Sequence, residues 1–156
     1  MGLPVENVWT DAGSYDWKFR RSFAACVITD ADGRVLLVHQ TYGPRKWDLP
    51  GGILDSGEAP WECARRETRE EVGLEVGELG LTGVYFIANR DGFGFIFRAR
   101  SYAGVLCPDG VEIGEAAFFA PDALPSPLSD FARERILDAV ADGPKPLLRV
   151  QHRREC

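Results

Sequence analysis

Three glycines and a proline constrain this chain more than any other feature. Gly51-Gly52 is followed by Pro60, and Gly73 comes later; the run Trp61–Val72 between them holds neither Gly nor Pro. Proline suits a first helical position, where its missing N–H would have no partner inside the helix. Glycine suits the position just past a helix end, where the backbone turns left-handed. The spacing therefore predicts a helix over Pro60–Val72. At about 100° per residue, Trp61, Ala64, Thr68 and Val72 share one stripe, which is assigned to the core. Glu67, Glu70 and Glu71 gather beside that stripe, because positions three and four apart are neighbours on a helix. Three carboxylates so placed repel one another unless a cation sits among them. Mg²⁺ takes a few carboxylates and completes its shell with waters and substrate phosphates.

Arg65, Arg66 and Arg69 interleave with these glutamates, so a solvated, salt-bridged helix face is the competing reading. For such a helix alone it is the commoner one. The glycine pair after Trp47-Asp48-Leu49-Pro50 shifts the balance, because glycine lets a ligand approach the main chain closely. Taken together, Gly52, Glu58, Arg66-Glu67, Thr68, Glu70-Glu71, Gly73 and Leu74 resemble the Nudix box of the Nudix hydrolase family. Every charged and glycine position matches. Thr68 stands where the family usually has a larger apolar residue, which bears on packing and leaves the chemistry intact. A weaker resemblance extends to the strand pair before the box and to the Phe118–Pro125 segment after it.

The resemblance implies that Glu67, Glu70 and Glu71 ligate Mg²⁺ or Mn²⁺ and position or deprotonate an attacking water. It implies that the carbonyl of Gly51 adds a metal ligand, that Glu58 supports the carboxylates, and that Arg66 holds the glutamates by ion pairing. Glu67, Glu70, Glu71, Arg66 and Glu58 are thus the catalytic candidates. Some enzymes of the family use a further acid from a late loop as a base; Asp109, Glu112 and Glu115 compete for that place, with a surface role the commoner fate of each. Proteins of the same fold that act as ligand sensors or interaction modules have usually lost box carboxylates, and this chain keeps all of them.

The remaining sequence reads as one α/β domain. Strands are expected at Phe19–Thr29, Val35–His39, Leu79–Phe86, Gly94–Arg100 and Glu112–Phe119, with a turn at Asp30–Gly33. Val35–Val38 is apolar on both faces, as a strand covered on both sides should be. Pro44–Gly57 reads as a loop. A second helix over Asp130–Ala141 is expected behind Ser129 as N-cap. Strands and helices alternate irregularly, which predicts a mixed sheet covered by helices on both faces, the α/β/α sandwich that the resemblance also implies. Residues 1–18 read as a lead-in, 19–142 as the domain and 143–156 as a basic tail on the surface or against a partner. Phe93, Phe95 and Phe97 alternate and are assigned to one core-facing strand face rather than to a base-stacking platform. His39, at a strand end, reads as a packed or half-exposed side chain.

The 156 residues carry 18 Lys and Arg against 24 Asp and Glu, a net charge of −6. That excludes a non-specific binder of large nucleic acids, which needs a basic face, but suits a phosphorylated small molecule bridged through a metal ion. No apolar run is long enough to span a bilayer. Met1–Glu6 has neither a basic n-region nor a long apolar stretch, and Cys26, Cys63, Cys107 and Cys156 are scattered, so a reducing cytoplasm is the expected compartment. The expected activity is metal-dependent cleavage of a diphosphate in a nucleotide-type small molecule: a nucleoside diphosphate linked to another group, or a triphosphate. Markers of the ADP-ribose, diadenosine, NADH and coenzyme A subgroups are absent: Asn89–Gly92 lacks the Pro or Tyr that some subgroups carry beyond the box. An ordinary or oxidised nucleoside triphosphate is therefore favoured. Homodimers are common among similar enzymes, and one is compatible with this chain.

Overall fold

A computed structural model describes residues 22–152. In chain order its elements are β1 (Phe23–Val27), β2 (Val35–Gln40), β3 (Trp47–Asp48), β4 (Gly51–Ile53), α1 (Pro60–Val72), β5 (Glu75–Val76), β6 (Leu79–Ile87), β7 (Gly92–Ala99), β8 (Tyr102–Ala103), β9 (Ile113–Phe119), α2 (Ala132–Val140) and β10 (Leu147–Gln151). Five strands form one mixed sheet in the order β10-β6-β7-β1-β4, with β1 parallel to β7 and β10 parallel to β6. A second sheet has the order β3-β2-β9, and β5 pairs with β8. Among the described residues no helix is long and apolar enough to cross a membrane.

Side chains alternate across a strand, and β1 uses this to serve two layers. Ala24 faces Cys63 and Ala64 of α1, together with Phe97. Ala25 and Val27 join Ile96, Tyr85 and the Ala132, Ile136 and Ala139 face of α2. The helices therefore cover opposite faces, the expected sandwich. Helix α1 has the predicted bounds. Glu62 accepts the Ala59 N–H at its start (2.9 Å), and at its end the Gly73 N–H donates to Arg69 O (2.9 Å) from a left-handed φ of 73°. Thr68 is buried, and its hydroxyl donates to Ala64 O (2.8 Å), so its polar atom is satisfied.

The structure corrects several expectations. Trp61 is not core: α1 packs mainly on β1 and β4, and the indole, 53% exposed, lies in an open apolar groove beside Leu79, Leu81, Phe95 and Phe97. The Phe93–Phe97 face runs from rim to core, with Phe97 buried, Phe95 half-buried and Phe93 exposed against Phe86. Pro44–Gly57 is not all loop, since it contributes the short strands β3 and β4. Ser129 does not cap α2. Its N–H is bound to Trp47 O (2.8 Å), and the helix starts later, behind Phe131 at φ 66°.

The tail is also more than a solvated end. Leu147–Gln151 adds β10 to the sheet edge. Arg149 clasps Asp138 of α2 with two bonds (2.6 and 2.7 Å), Tyr85 donates its hydroxyl to the same carboxylate (2.8 Å), and Lys145 donates to the Asp138 carbonyl. Burial pushes the Asp138 carboxyl up, but the Arg149 and Tyr85 hydrogen bonds outweigh it and the net shift is downward. Arg153 and Arg154, the lead-in over 1–18, and the start of the expected first strand at Phe19 lie outside the described residues.

Candidate active site

Helix α1 and the β3–β4 turn bring the box residues together. Pairing of Gly51 and Gly52 with Ala25 and Ala24 of β1 lays the glycine pair across the start of the sheet, under the glutamate face of α1. Gly52 lets the Glu67 carboxylate close onto the main chain, since a Cβ there would lie 2.4 Å from its Cδ. Glu71 is buried and accepts the Gly51 N–H at Oε2 (3.3 Å).

Arg66 is the hub of the cluster. It grips Glu58 with two bonds, Nε to Oε2 at 2.6 Å and Nη2 to Oε1 at 2.9 Å. Its Nη1 donates to Glu67 Oε1 (2.9 Å) and to Glu70 Oε2 (3.1 Å). Such a bidentate fork fixes direction as well as charge. The Arg66 hydrogen bonds hold the Glu58 carboxyl down at about 2. Arg69, by contrast, pairs with Glu75 on the exposed face (2.5 Å).

The electrostatics divide this cluster. Burial raises the Glu67 carboxyl, with Arg66 opposing. Burial, reinforced by the Glu67 charge, pushes Glu71 up to about 9, against the Gly51 N–H. Among the described residues no three acidic, thiol or imidazole groups already converge as a cation cage: Glu67 and Glu70 lean on Arg66, and Glu71 leans on Gly51. The donor chemistry nevertheless fits a hard divalent cation. All the donors are oxygens, and the half-buried Glu67 and buried Glu71 carboxyls repel each other, which a cation would relieve.

A cleft of about 500 Å³ opens from Glu71, Gly51 and Gly52 toward Tyr42, Asp48, Phe131 and Arg135. The sequence reading missed these last four residues. Asp48, directly ahead of the glycine turn, carried a positional signal; Arg135, one arginine among several on α2, carried none. Asp48 accepts the Leu49 N–H (2.7 Å) and the Ser129 hydroxyl. Burial raises its carboxyl, and those bonds together with the Arg135 charge oppose the rise. Arg135 is 7% exposed, donates Nε and Nη2 to Gln151 Oε1 (3.2 and 2.8 Å), and lies over Phe23 at 4.6 Å.

The late acids fall in different places. Asp109 accepts the Val111 and Ile113 N–H groups (2.8 and 2.9 Å) and shapes its own loop. Glu115 is exposed, opposite His39 on β9. Glu112 is exposed, and its charge reaches Glu67 and Glu71. His39 stacks on Trp47 at 4.6 Å, away from any catalytic arrangement.

Comparison with known proteins bears on the family and the fold. A family model described as "NUDIX domain" matches residues 18–140. A "MutT-like protein" of Streptomyces ambofaciens is 33% identical over 125 residues, covering 80% of this chain and 79% of that protein. An "ADP-ribose pyrophosphatase" of Mycobacterium tuberculosis is 51% identical over 55 residues, covering 33% of this chain and 27% of the relative. The crystal structure of a MutT NUDIX hydrolase from Burkholderia pseudomallei superposes with a TM-score of 0.69 at 27% identity, covering 76% of this chain and 96% of that one.

Proposed function

The chain belongs to the NUDIX hydrolase family, and on that premise we propose that it cleaves the diphosphate linkage of a nucleoside diphosphate joined to a further group, triphosphates included. Glu67, Glu70 and Glu71, with the Gly51 carbonyl, are the residues to hold Mg²⁺ or Mn²⁺. The observation that carries this reading is the buried Glu71 at the cleft mouth, bound to Gly51 and raised by burial and by Glu67. This is a site built of hard oxygens and short of positive charge.

A bound divalent cation supplies neutralisation of phosphate charge and lowers the pKa of a coordinated water. The protein supplies the positioning on which in-line displacement at a diphosphate depends. Glu58 holds Arg66, Arg66 in turn holds Glu67 and Glu70, and the Gly51 N–H holds Glu71. Glu112, facing this cluster from the loop before β9, is the candidate to receive the proton of the attacking water.

The test is a panel of nucleoside triphosphates, nucleoside diphosphate sugars and dinucleoside polyphosphates incubated with Mg²⁺, with an EDTA control. Pyrophosphate or nucleoside monophosphate should appear from at least one member and vanish with EDTA. A folded protein that releases no product from any member, with Mg²⁺ or Mn²⁺, would refute the reading.

A further inference from the structure

The five-stranded sheet is covered unevenly. Arg149 of β10 and its register partner Tyr85 of β6 both reach Asp138 of α2, which identifies the face of these strands that α2 covers. Side chains alternate along a strand. The register therefore places Leu148 and Val150 of β10, Val84 and Phe86 of β6, and Phe93 and Phe95 of β7 on the opposite face. Helix α1 lies on that side, but it packs mainly on β1 and β4. Beyond it the face is open to solvent: Phe93 leans on Phe86 at 5.3 Å and is exposed, Leu148 is 78% exposed and Val150 60%. Strand β10 is thereby inverted. Its Arg149 and Gln151 bond to Asp138 and Arg135 of α2, while its apolar side chains face outward. A strand whose outer face meets water carries the reverse pattern, and an apolar patch of this kind marks a contact surface.

A segment of suitable pattern is attached beside that surface. Residues 1–21 precede the described chain, which enters β1 through Ser22, and the Ser22 hydroxyl accepts the Phe93 N–H (3.3 Å) at the border of the open face. In Tyr15-Asp16-Trp17-Lys18-Phe19-Arg20 aromatic and charged residues alternate strictly, the pattern of a strand with one apolar side. The family model matches only from residue 18, so Tyr15 and Trp17 lie outside it. We propose that Tyr15, Trp17 and Phe19 lay their rings on the open face of their own chain, with Asp16, Lys18 and Arg20 turned to water. Phe23 faces α2, under Arg135, so the chain turns over at Arg20-Arg21 to reach the other side. From Tyr15 to Ser22 it spans up to about 23 Å, and β10 lies two strand spacings, about 10 Å, from β7, so the reach is sufficient. Tethering favours this occupant over a second copy of the chain, because a short tether gives an effective concentration on the order of millimolar. The proposal goes beyond the hydrolase reading and does not depend on it.

The experiment is NMR of the full chain with labelled Leu and Val methyl groups. Nuclear Overhauser contacts should join the rings of Tyr15, Trp17 or Phe19 to the methyls of Val84, Leu148 or Val150. The double variant Leu148→Lys, Val150→Lys changes two exposed edge positions of a kind where lysine is well tolerated. It should lose these contacts while keeping the methyl signals of the α2-side core. Trp17→Ser, outside the folded domain, should conversely move the Leu148 and Val150 methyl signals and leave that core unchanged. Absence of any contact from Tyr15, Trp17 or Phe19 to this face in the native protein would overturn the proposal. So would contacts that, in a mixture of labelled and unlabelled chains, arise between copies rather than within one, which would give the face to a second copy.

Discussion

Gly52→Ala probes how closely the main chain and the glutamates must fit. Gly52 has an ordinary φ, so alanine introduces no backbone strain, only a methyl group 2.4 Å from Cδ of Glu67, where ordinary contact begins at 3.4 Å. The carboxylate must retreat by about 1 Å (3.4 − 2.4 Å), leaving the position that Arg66 Nη1 now fixes at 2.9 Å. A misplacement of about 1 Å in a positioning group can cost about 100-fold in rate, and kcat should fall by that order. Folding should survive, because the atoms that must move are the far end of a flexible side chain. An overpacking cost of about 1 kcal/mol is partly offset by the lower entropy of the unfolded alanine chain, leaving a melting temperature within about 4 °C of the native value. The assay is kcat and KM with saturating Mg²⁺, alongside thermal melting followed by circular dichroism. In the background of Glu67→Gln the added effect should shrink, since both changes act through one group. A folded Gly52→Ala enzyme with native kcat would refute the idea that the placement of Glu67 matters.

Two further predictions follow from the charge network. Arg66→Lys keeps the charge but cannot reproduce the fork on Glu58, so kcat/KM should drop at least tenfold, whereas Arg69→Lys, whose partner Glu75 is exposed, should be nearly silent; equal small effects in the two variants would show that Arg66 does not orient the glutamates. Asp138 has a folded-state pKa below its ordinary 3.8, so its contribution to stability is present above that value and is lost as pH falls through the lower folded one; the stabilities of native and Asp138→Asn proteins, from denaturation curves, should differ near neutrality and converge as pH falls below the ordinary aspartate value, and a difference independent of pH would contradict the Arg149–Tyr85–Asp138 account.

What the sequence made legible is uneven, for physical reasons. Helix α1 was readable to the residue because proline, glycine and the glutamate spacing all act locally. The box cluster was readable because its members lie on one helix and the turn before it. Strands β3 and β4 were hidden, being two and three residues long and defined by pairing rather than by pattern. Strand β10 was masked by the basic residues around it, although Leu148 and Val150 alternate with Arg149; its place depends on Asp138, distant in sequence. Trp61 was misassigned because periodicity gives a face but not how far the sheet beneath extends. Asp48 and Arg135 line one cleft from β3 and α2, and no local spacing could have joined them.

The central claim is that the buried carboxylate of Glu71 supports hydrolysis by holding a divalent cation. Glutamine matches its size and the neutral state to which burial drives it, with the carboxyl pushed up to about 9, so Glu71→Gln should fold with an unchanged or higher melting temperature. The most direct measurement is the rate of Mg²⁺-dependent diphosphate cleavage by folded Glu71→Gln protein against native protein. A loss of about 100-fold or more is the expected result, and cleavage at the native rate would contradict the claim.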